Sequence, residues 1–201
     1  MSGGEKRFEL SEADQGRRTL LTGVTALLGA IGGAAWLTPF LKSWQPSAKA
    51  RAAGAPITVD LTKLKTDQLF KTEWRGKPIY ILKRSQEIIA NLKGDKDHLR
   101  DPESTEEQQP GYAQNDLRSL KPELMVLEGV CTHLGCAPKT RMDDGGEGEF
   151  DGFFCPCHGS KFDFAGRVYK GVPAPSNMVV PPYSYKDDGT VVVGVDQEEI
   201  G

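Results

Sequence analysis

Two short segments, CTHLGC at residues 131–136 and CPCHGS at residues 155–160, contain all four cysteines of this 201-residue chain and two of its three histidines. Each segment follows a run of β-branched or aromatic residues, so we expect both to be loops at one end of a β-sheet. Thiolates and imidazoles suit iron–sulfur clusters or zinc, whereas Ca²⁺ and Mg²⁺ prefer oxygen ligands. The segments therefore predict one local site for a soft or borderline metal rather than a disulfide scaffold.

The sequence around these segments predicts an antiparallel all-β domain over residues 57–201. Short runs bounded by Gly, Pro or Asp have the composition of β-strands. These runs cover residues 57–61, 77–82, 123–130, 148–154, 167–172, 177–183 and 190–195. Residues 85–93 predict a short helix, and the polar stretch 94–115 predicts a surface loop. His98 lies in that loop, with no Cys or His near it in sequence, and is interpreted as a solvated side chain.

The N-terminal part of the chain predicts a membrane anchor. Residues 19–41 are 23 consecutive residues without a charge. As a helix rising about 1.5 Å per residue they would reach roughly 35 Å, which is enough to cross a bilayer core. A cleaved secretory signal is the alternative, although the apolar core of a signal usually has only ~7–15 residues. We predict a transmembrane segment at 19–41, preceded by an N-terminal segment 1–18.

Arg17 and Arg18 stand directly before the anchor. Paired arginines ahead of an apolar helix are typical of a twin-arginine export signal, and equally of the positive flank that stays in the cytoplasm. Both interpretations place the N-terminus in the cytoplasm and the β domain outside. Residues 42–56 are rich in Ala and contain Gly and Pro, which predicts a flexible linker. Its composition does not distinguish a helical from an extended linker.

The charge of the chain excludes one class of partner. It has 25 Lys and Arg against 28 Asp and Glu, a net charge of −3, with +3 in residues 1–55 and −6 in the remainder. Binding to a phosphate backbone requires a cationic excess. Nucleic acid is therefore not expected as a partner.

The pattern C-T-H-x-G-C with C-P-C-H-G-S resembles the Rieske iron–sulfur proteins. The similarity continues through the anchor, the linker, GVPAP at 171–175 and VVPPY at 179–183. It points in particular to the iron–sulfur subunits of bacterial cytochrome bc1 complexes, the ubiquinol–cytochrome c reductases. The resemblance implies one [2Fe-2S] cluster per chain. Its implied metal ligands are Cys131 and Cys155 on one iron and His133 and His158 on the other.

The resemblance also assigns roles around the cluster. It implies a disulfide between Cys136 and Cys157, which requires an oxidising compartment such as the periplasm. It implies that the Ser160 hydroxyl donates to a bridging sulfide. Phe162 stands where high-potential members have a Tyr that bonds a ligand sulfur, so a lower potential is expected. The residues implied to cover the cluster and contact the quinol pocket are Leu134, Gly171, Pro173, Ala174 and Pro175.

The function implied by the resemblance is electron transfer within a respiratory membrane complex. The chain would accept an electron from ubiquinol in a pocket of cytochrome b, with a proton passing through a cluster histidine, His158 or His133. It would then reduce cytochrome c1, as part of a dimeric bc1 complex in the bacterial inner membrane. The alternatives are the Rieske small subunit of another periplasmic oxidoreductase, such as arsenite oxidase, and a structural zinc module. A thiol–disulfide oxidoreductase is disfavoured, because its motif is usually Cys-x-x-Cys opening a helix.

Overall fold

The chain divides into two compact units, with the boundary between Arg51 and Ala52. The computed structural model describes residues 12–94, 96–140 and 151–196. The predicted N-terminal segment 1–18 and the predicted strand 148–154 therefore lie partly outside the described residues.

One long helix, α1 (Glu12–Ser43), contains the whole uncharged segment 19–41. Its most apolar window has a mean hydropathy of 1.7, and its large apolar side chains are exposed. The hydroxyls of Thr19, Thr22 and Thr38 each donate to the carbonyl four residues earlier. These polar groups are thus satisfied within the helix, as a lipid environment requires. Within the described residues, α1 is the one helix long and apolar enough to cross a membrane.

The predicted linker 42–56 contains a short second helix, α2 (Ala48–Ala53). Ser47 caps this helix, because its hydroxyl accepts the N–H of Ala50 at 3.1 Å. A six-residue helix is marginal by itself, since the first turn is costly to form. The Ala-rich stretch, whose conformation the composition left open, is therefore helical but short.

Within the described residues, nine strands form three antiparallel sheets of three strands each. The strands are β1 (Ile57–Asp60), β2 (Leu69–Trp74), β3 (Lys77–Lys83), β4 (Leu124–Glu128), β5 (Lys139–Thr140), β6 (Phe153–Phe154), β7 (Lys161–Phe162), β8 (Tyr183–Asp187) and β9 (Thr190–Val193). The strand orders are β1-β9-β8, β2-β3-β4 and β5-β6-β7. The predicted all-β fold class is confirmed.

The β2-β3-β4 sheet carries much of the apolar core. All of β4 is buried, and so are four successive residues of β3, from Ile79 to Leu82. Helix α3 (Gln86–Lys93) begins where the Ser85 hydroxyl accepts the N–H of Ile88, and it buries its apolar face. The predicted helix at 85–93 is confirmed. Because β4 ends shortly before Cys131, a buried strand leads directly into the first Cys/His segment.

Two of the predicted strands are wrong. Residues 167–172 contain only isolated bridges, at Val168 and Tyr169. Residues 177–183 are irregular until β8 begins at Tyr183. Their apolar side chains are buried or half-buried, as the pattern suggested, but nearby prolines lack the N–H that a strand ladder requires. These prolines are Pro173, Pro175, Pro181 and Pro182.

Four strands were not predicted from the sequence, and one of them, β8, overlaps the predicted run 177–183 only at Tyr183. Strand β2 lies at a sheet edge and is partly exposed, so its Lys, Thr and Glu hide the apolar alternation. Strands β5 and β7 have two residues each, which is too short for any periodicity. The stretch 94–115 is largely irregular, as predicted, with one 3₁₀ turn at Gly111–Ala113.

Candidate metal centre

The two Cys/His segments lie at the same end of the third sheet. Residues 131–136 lead from β4 into β5, and residues 155–160 connect β6 to β7. Lys139 at the start of β5 pairs with Phe154 at the end of β6, so the loops meet at one end of the β5-β6-β7 sheet. We call them the first and second cluster loops. Their predicted placement at one end of a sheet is confirmed.

The two cluster loops have the same backbone hydrogen bonds. In each, the first cysteine donates its N–H to the carbonyl five residues later and accepts the N–H of the glycine four residues later. The four bonds are Cys131 N to Cys136 O at 2.7 Å, Gly135 N to Cys131 O at 2.9 Å, Cys155 N to Ser160 O at 2.8 Å and Gly159 N to Cys155 O at 2.9 Å. Both glycines are left-handed, with φ of +83° and +79°. A side chain with a Cβ would be strained there.

The four predicted ligands form an inner and an outer pair. The free thiols of Cys131 and Cys155 are each 2% exposed. His133 is half-buried and His158 is exposed, and their ring centroids are 4.7 Å apart with the planes at 85°. Two sulfurs thus lie inside and two imidazoles lie towards solvent. This arrangement fits a [2Fe-2S] cluster that has thiolates on one iron and imidazoles on the other.

The protonation of Cys131 supports this fit. Burial raises the pKa of the Cys131 thiol, and a hydrogen bond with the backbone of His133 opposes the rise. The thiol would therefore remain protonated unless a cation compensated the buried thiolate. Iron bound there would provide that cation, because metal binding deprotonates a cysteine ligand.

A disulfide joins the two cluster loops. It links Cys136 to Cys157, with a Cα–Cα distance of 6.7 Å. The sulfur of Cys155 lies within 4.8 Å of both disulfide sulfurs. Although three cysteine sulfurs approach one another, two of them are bonded together and cannot act as thiolate ligands. The free thiolate donors are therefore Cys155 and Cys131.

The second cluster loop holds residues 171–175, the proline loop, and the first cluster loop holds Ser176, which follows it. Ala174 is fully buried, and its N–H donates to the hydroxyl of Ser160 at 3.0 Å. From the first cluster loop, the Thr132 hydroxyl donates to the carbonyl of Ser176 at 2.6 Å. Gly171 has a left-handed φ of +75°, which allows the turn into the loop. Pro173 and Pro175 are exposed on its outer face.

The remaining predicted residues divide between surface and core. Leu134 is 72% exposed at the tip of the first cluster loop. Ser160 is fully buried, and its hydroxyl hydrogen-bonds the Cys131 thiol. Phe162 is fully buried in β7, opposite Phe153. His98 is exposed and stacks on Tyr169, with ring centroids 4.7 Å apart.

Sequence reasoning missed two residues that support the cluster loops. Thr132 lies inside the first Cys/His motif, so its tie to Ser176 could have been sought there. The Tyr80 hydroxyl in β3 donates to the carbonyl of Pro138 at 2.8 Å, just after the first cluster loop. Its ring lies so close to Gly129 that a Cβ at that glycine would approach it to 2.3 Å. No local pattern marks Tyr80, because this contact joins distant parts of the chain.

Comparison with known proteins gives consistent results. Residues 57–184 match the family described as Rieske [2Fe-2S] domain. The ubiquinol-cytochrome c reductase iron-sulfur subunit of Allochromatium vinosum is 45% identical, over 98% of this chain and 97% of that protein. The protein of the same name from Bradyrhizobium diazoefficiens is 42% identical, over 89% of this chain and 94% of its own length. A solved structure described as a hyperthermophilic respiratory complex III has a TM-score of 0.46 and 27% identity, over 85% of this chain and 97% of that one.

Proposed function

Because this chain belongs to the Rieske [2Fe-2S] protein family, we propose that it is the electron-transferring iron–sulfur subunit of a ubiquinol–cytochrome c reductase, the cytochrome bc1 complex. One structural observation carries the proposal. Two equivalent loops present two buried thiols and two outward imidazoles, and a disulfide holds the loops together. The relatives named for this complex are similar along almost the whole chain, including the N-terminal helix.

The site residues divide the work of holding the cluster. Cys131 and Cys155 would hold the inner iron, and their burial would keep water from it. His133 and His158 would hold the outer iron. When bound, the cluster supplies a one-electron carrier with a potential of roughly −150 to +300 mV, above the value near −400 mV of plant-type ferredoxins. Two neutral imidazoles in place of two thiolates remove negative charge, which favours uptake of an electron.

His158 is the histidine that receives the proton of the quinol. It is exposed whereas His133 is half-buried, so His158 can meet a substrate hydroxyl. Binding a cation through one ring nitrogen makes the N–H of the other nitrogen more acidic. Once that N–H has lost its proton, the free nitrogen of His158 would accept a hydrogen bond from a quinol hydroxyl and take up its proton. Leu134, Pro173 and Pro175 are exposed apolar residues, and they would contact the pocket of cytochrome b.

The helix and linker give this site its place in the complex. Helix α1 anchors the chain in the bacterial inner membrane, with residues 1–18 in the cytoplasm and 57–201 in the periplasm. The disulfide suits that oxidising compartment. Residues 42–56 act as the hinge on which the domain moves between cytochrome b and cytochrome c1 of a dimeric complex.

The hinge can be tested at Gly54, the residue with the freest backbone in the linker. Gly54→Pro should slow quinol-dependent reduction of cytochrome c1 several-fold without changing the cluster potential, because Pro restricts the backbone. Gly54→Ala is the control and should remain close to the parent rate. Unchanged turnover in Gly54→Pro would contradict tethered motion.

The metal assignment can be tested on the purified full-length protein in detergent. We expect iron and acid-labile sulfide in a one-to-one ratio, with two of each per chain. Reduction by ascorbate should produce the electron paramagnetic resonance signal of a Rieske cluster. Zinc with no such signal would contradict the proposal and favour a structural zinc module.

A further inference from the structure

The proline loop has few backbone groups with which to secure itself. Pro173 and Pro175 have no N–H, so two of its five residues cannot donate. The guanidinium of Arg100 donates to the carbonyl of Val172 at 3.2 Å and to that of Pro175 at 3.2 Å. One side chain therefore bridges both ends of the turn that contains the buried Ala174.

Arg100 is aimed at the proline loop by its own backbone. Its N–H donates to the carbonyl of Val168 at 2.9 Å, and the N–H of Lys170 donates to the carbonyl of His98 at 2.8 Å. Leu99 between them is buried and forms a bridge with Tyr169. The residues before the proline loop are thus paired with those around Arg100. This pairing fixes the backbone from which the Arg100 side chain extends.

The contacts of Arg100 complement those of the cluster loops. Ser160 holds Ala174 of the proline loop, and Thr132 holds the adjoining Ser176, so both contacts come from the cluster loops. Arg100 comes from neither cluster loop and holds the carbonyls at both ends of the turn. The planar fork of an arginine can serve two acceptors at once, whereas a lysine provides a point charge.

We propose that Arg100 is a positioning residue that clamps the proline loop over the cluster site and so sets the Pro173–Pro175 surface for docking at the quinol pocket. The docking half of this inference rests on the proposed function, whereas the clamp itself does not. Arg100 is exposed, so its replacement removes no core contact.

The clamp can be measured at a single amide. Between Pro173 and Pro175 only Ala174 has an exchangeable backbone hydrogen, and that N–H bonds Ser160. In the purified complex, Arg100→Gln should speed hydrogen exchange at Ala174 about tenfold, because two charge-assisted bonds are lost. The matched control is Lys170→Gln, which also removes one exposed positive charge. The Lys170 ammonium donates to the carbonyl of Asp97 and not to the proline loop. Its Ala174 exchange should equal that of the parent.

Docking is measured by kinetics on the same variants. Arg100→Gln and Arg100→Lys should both raise the KM for quinol several-fold, with kcat and the cluster signal unchanged, because a mobile loop weakens docking and leaves the cluster intact. The clamp would be overturned if Arg100→Gln exchanged the Ala174 amide at the parent rate, or if Lys170→Gln accelerated that exchange equally. It would also be overturned if Arg100→Lys had the parent KM for quinol. If the parent complex lacks the cluster or quinol activity, the proposed function fails while the exchange result still decides the clamp.

Discussion

The two cluster loops have the same backbone and different side chains. Each begins with a buried cysteine and has a left-handed glycine at its fifth position. The third position is His133 in the first loop and Cys157 in the second, and the sixth is Cys136 and Ser160 respectively. The disulfide therefore joins the sixth residue of one loop to the third of the other. The shared backbone hydrogen bonds position the two buried cysteines. The positions that differ supply the disulfide, the two histidines and the hydrogen bond from the proline loop to Ser160.

The largest expected effect comes from the position that the loops share. Cys131→Ser and Cys155→Ser should each abolish the cluster signal, because both remove a buried thiolate from an equivalent turn. His133→Gln should lose it as well, whereas His98→Gln should retain full iron and sulfide content, since the His98 ring packs against Tyr169 and lies in neither cluster loop. Iron analysis of the purified variants checks this. A normal cluster in either Cys variant would break the equivalence of the loops.

The next effect concerns the disulfide, where the loops differ. Cys136→Ala or Cys157→Ala should lower the free energy of unfolding by about 3 kcal/mol, the value expected for closing a loop of roughly 20 residues. The cluster should also be lost at lower temperature, as followed by its absorbance during heating. The double variant should match either single variant, because both remove the same bond. A double variant much weaker than the singles would show that the two cysteines act separately.

Ser160 occupies the position equivalent to Cys136 and should affect the potential. Ser160→Ala should lower the midpoint potential by roughly 60 mV, since one hydrogen bond to a charged sulfur is worth roughly a tenfold change in the equilibrium. Exchange at the Ala174 amide should also accelerate, because Ser160 accepts that N–H. Ser176→Ala is the control, since the bond from Thr132 uses the carbonyl of Ser176. A redox titration with equal potentials for the parent and Ser160→Ala would contradict this role.

The smallest effect is expected at Phe162, two residues beyond the second cluster loop. Phe162→Tyr should raise the potential by roughly 30 mV, which is half of the shift that a tenfold change in the equilibrium constant produces. The gain is halved because burying the new hydroxyl offsets part of the benefit of its bond to a ligand sulfur. Redox titration against the parent measures the change. No rise, or a fall, would show that the hydroxyl does not reach a ligand.

The sequence predicted the cluster loops well because their determinants are local. Cys131, His133, Cys155 and His158 lie within two six-residue segments, and each glycine turn is encoded beside its ligand. The all-β class followed from short apolar runs, but those at 167–172 and 177–183 are buried segments without strand ladders. A buried irregular segment and a buried strand have the same apolar pattern in the sequence. The nearby prolines distinguish the two, because a proline has no N–H to donate to a strand ladder.

The support of the site was not predictable from local patterns. Arg100 contacts Pro175 across 75 residues of sequence, and Tyr80 contacts Pro138 across 58. No spacing rule connects such pairs, because the fold brings them together. Strands β5 and β7 were missed for a related reason, since two residues have no period and are defined by their pairing with β6.

We propose that the outward face of the two cluster loops meets a quinol pocket in cytochrome b. The most direct test is the electron paramagnetic resonance spectrum of ascorbate-reduced native membranes, with and without an inhibitor of the quinol-oxidation pocket. We predict a Rieske signal that shifts when the inhibitor is added, because the inhibitor and His158 would meet in that pocket. A Rieske signal that does not respond to the inhibitor would contradict the claim and favour another periplasmic oxidoreductase.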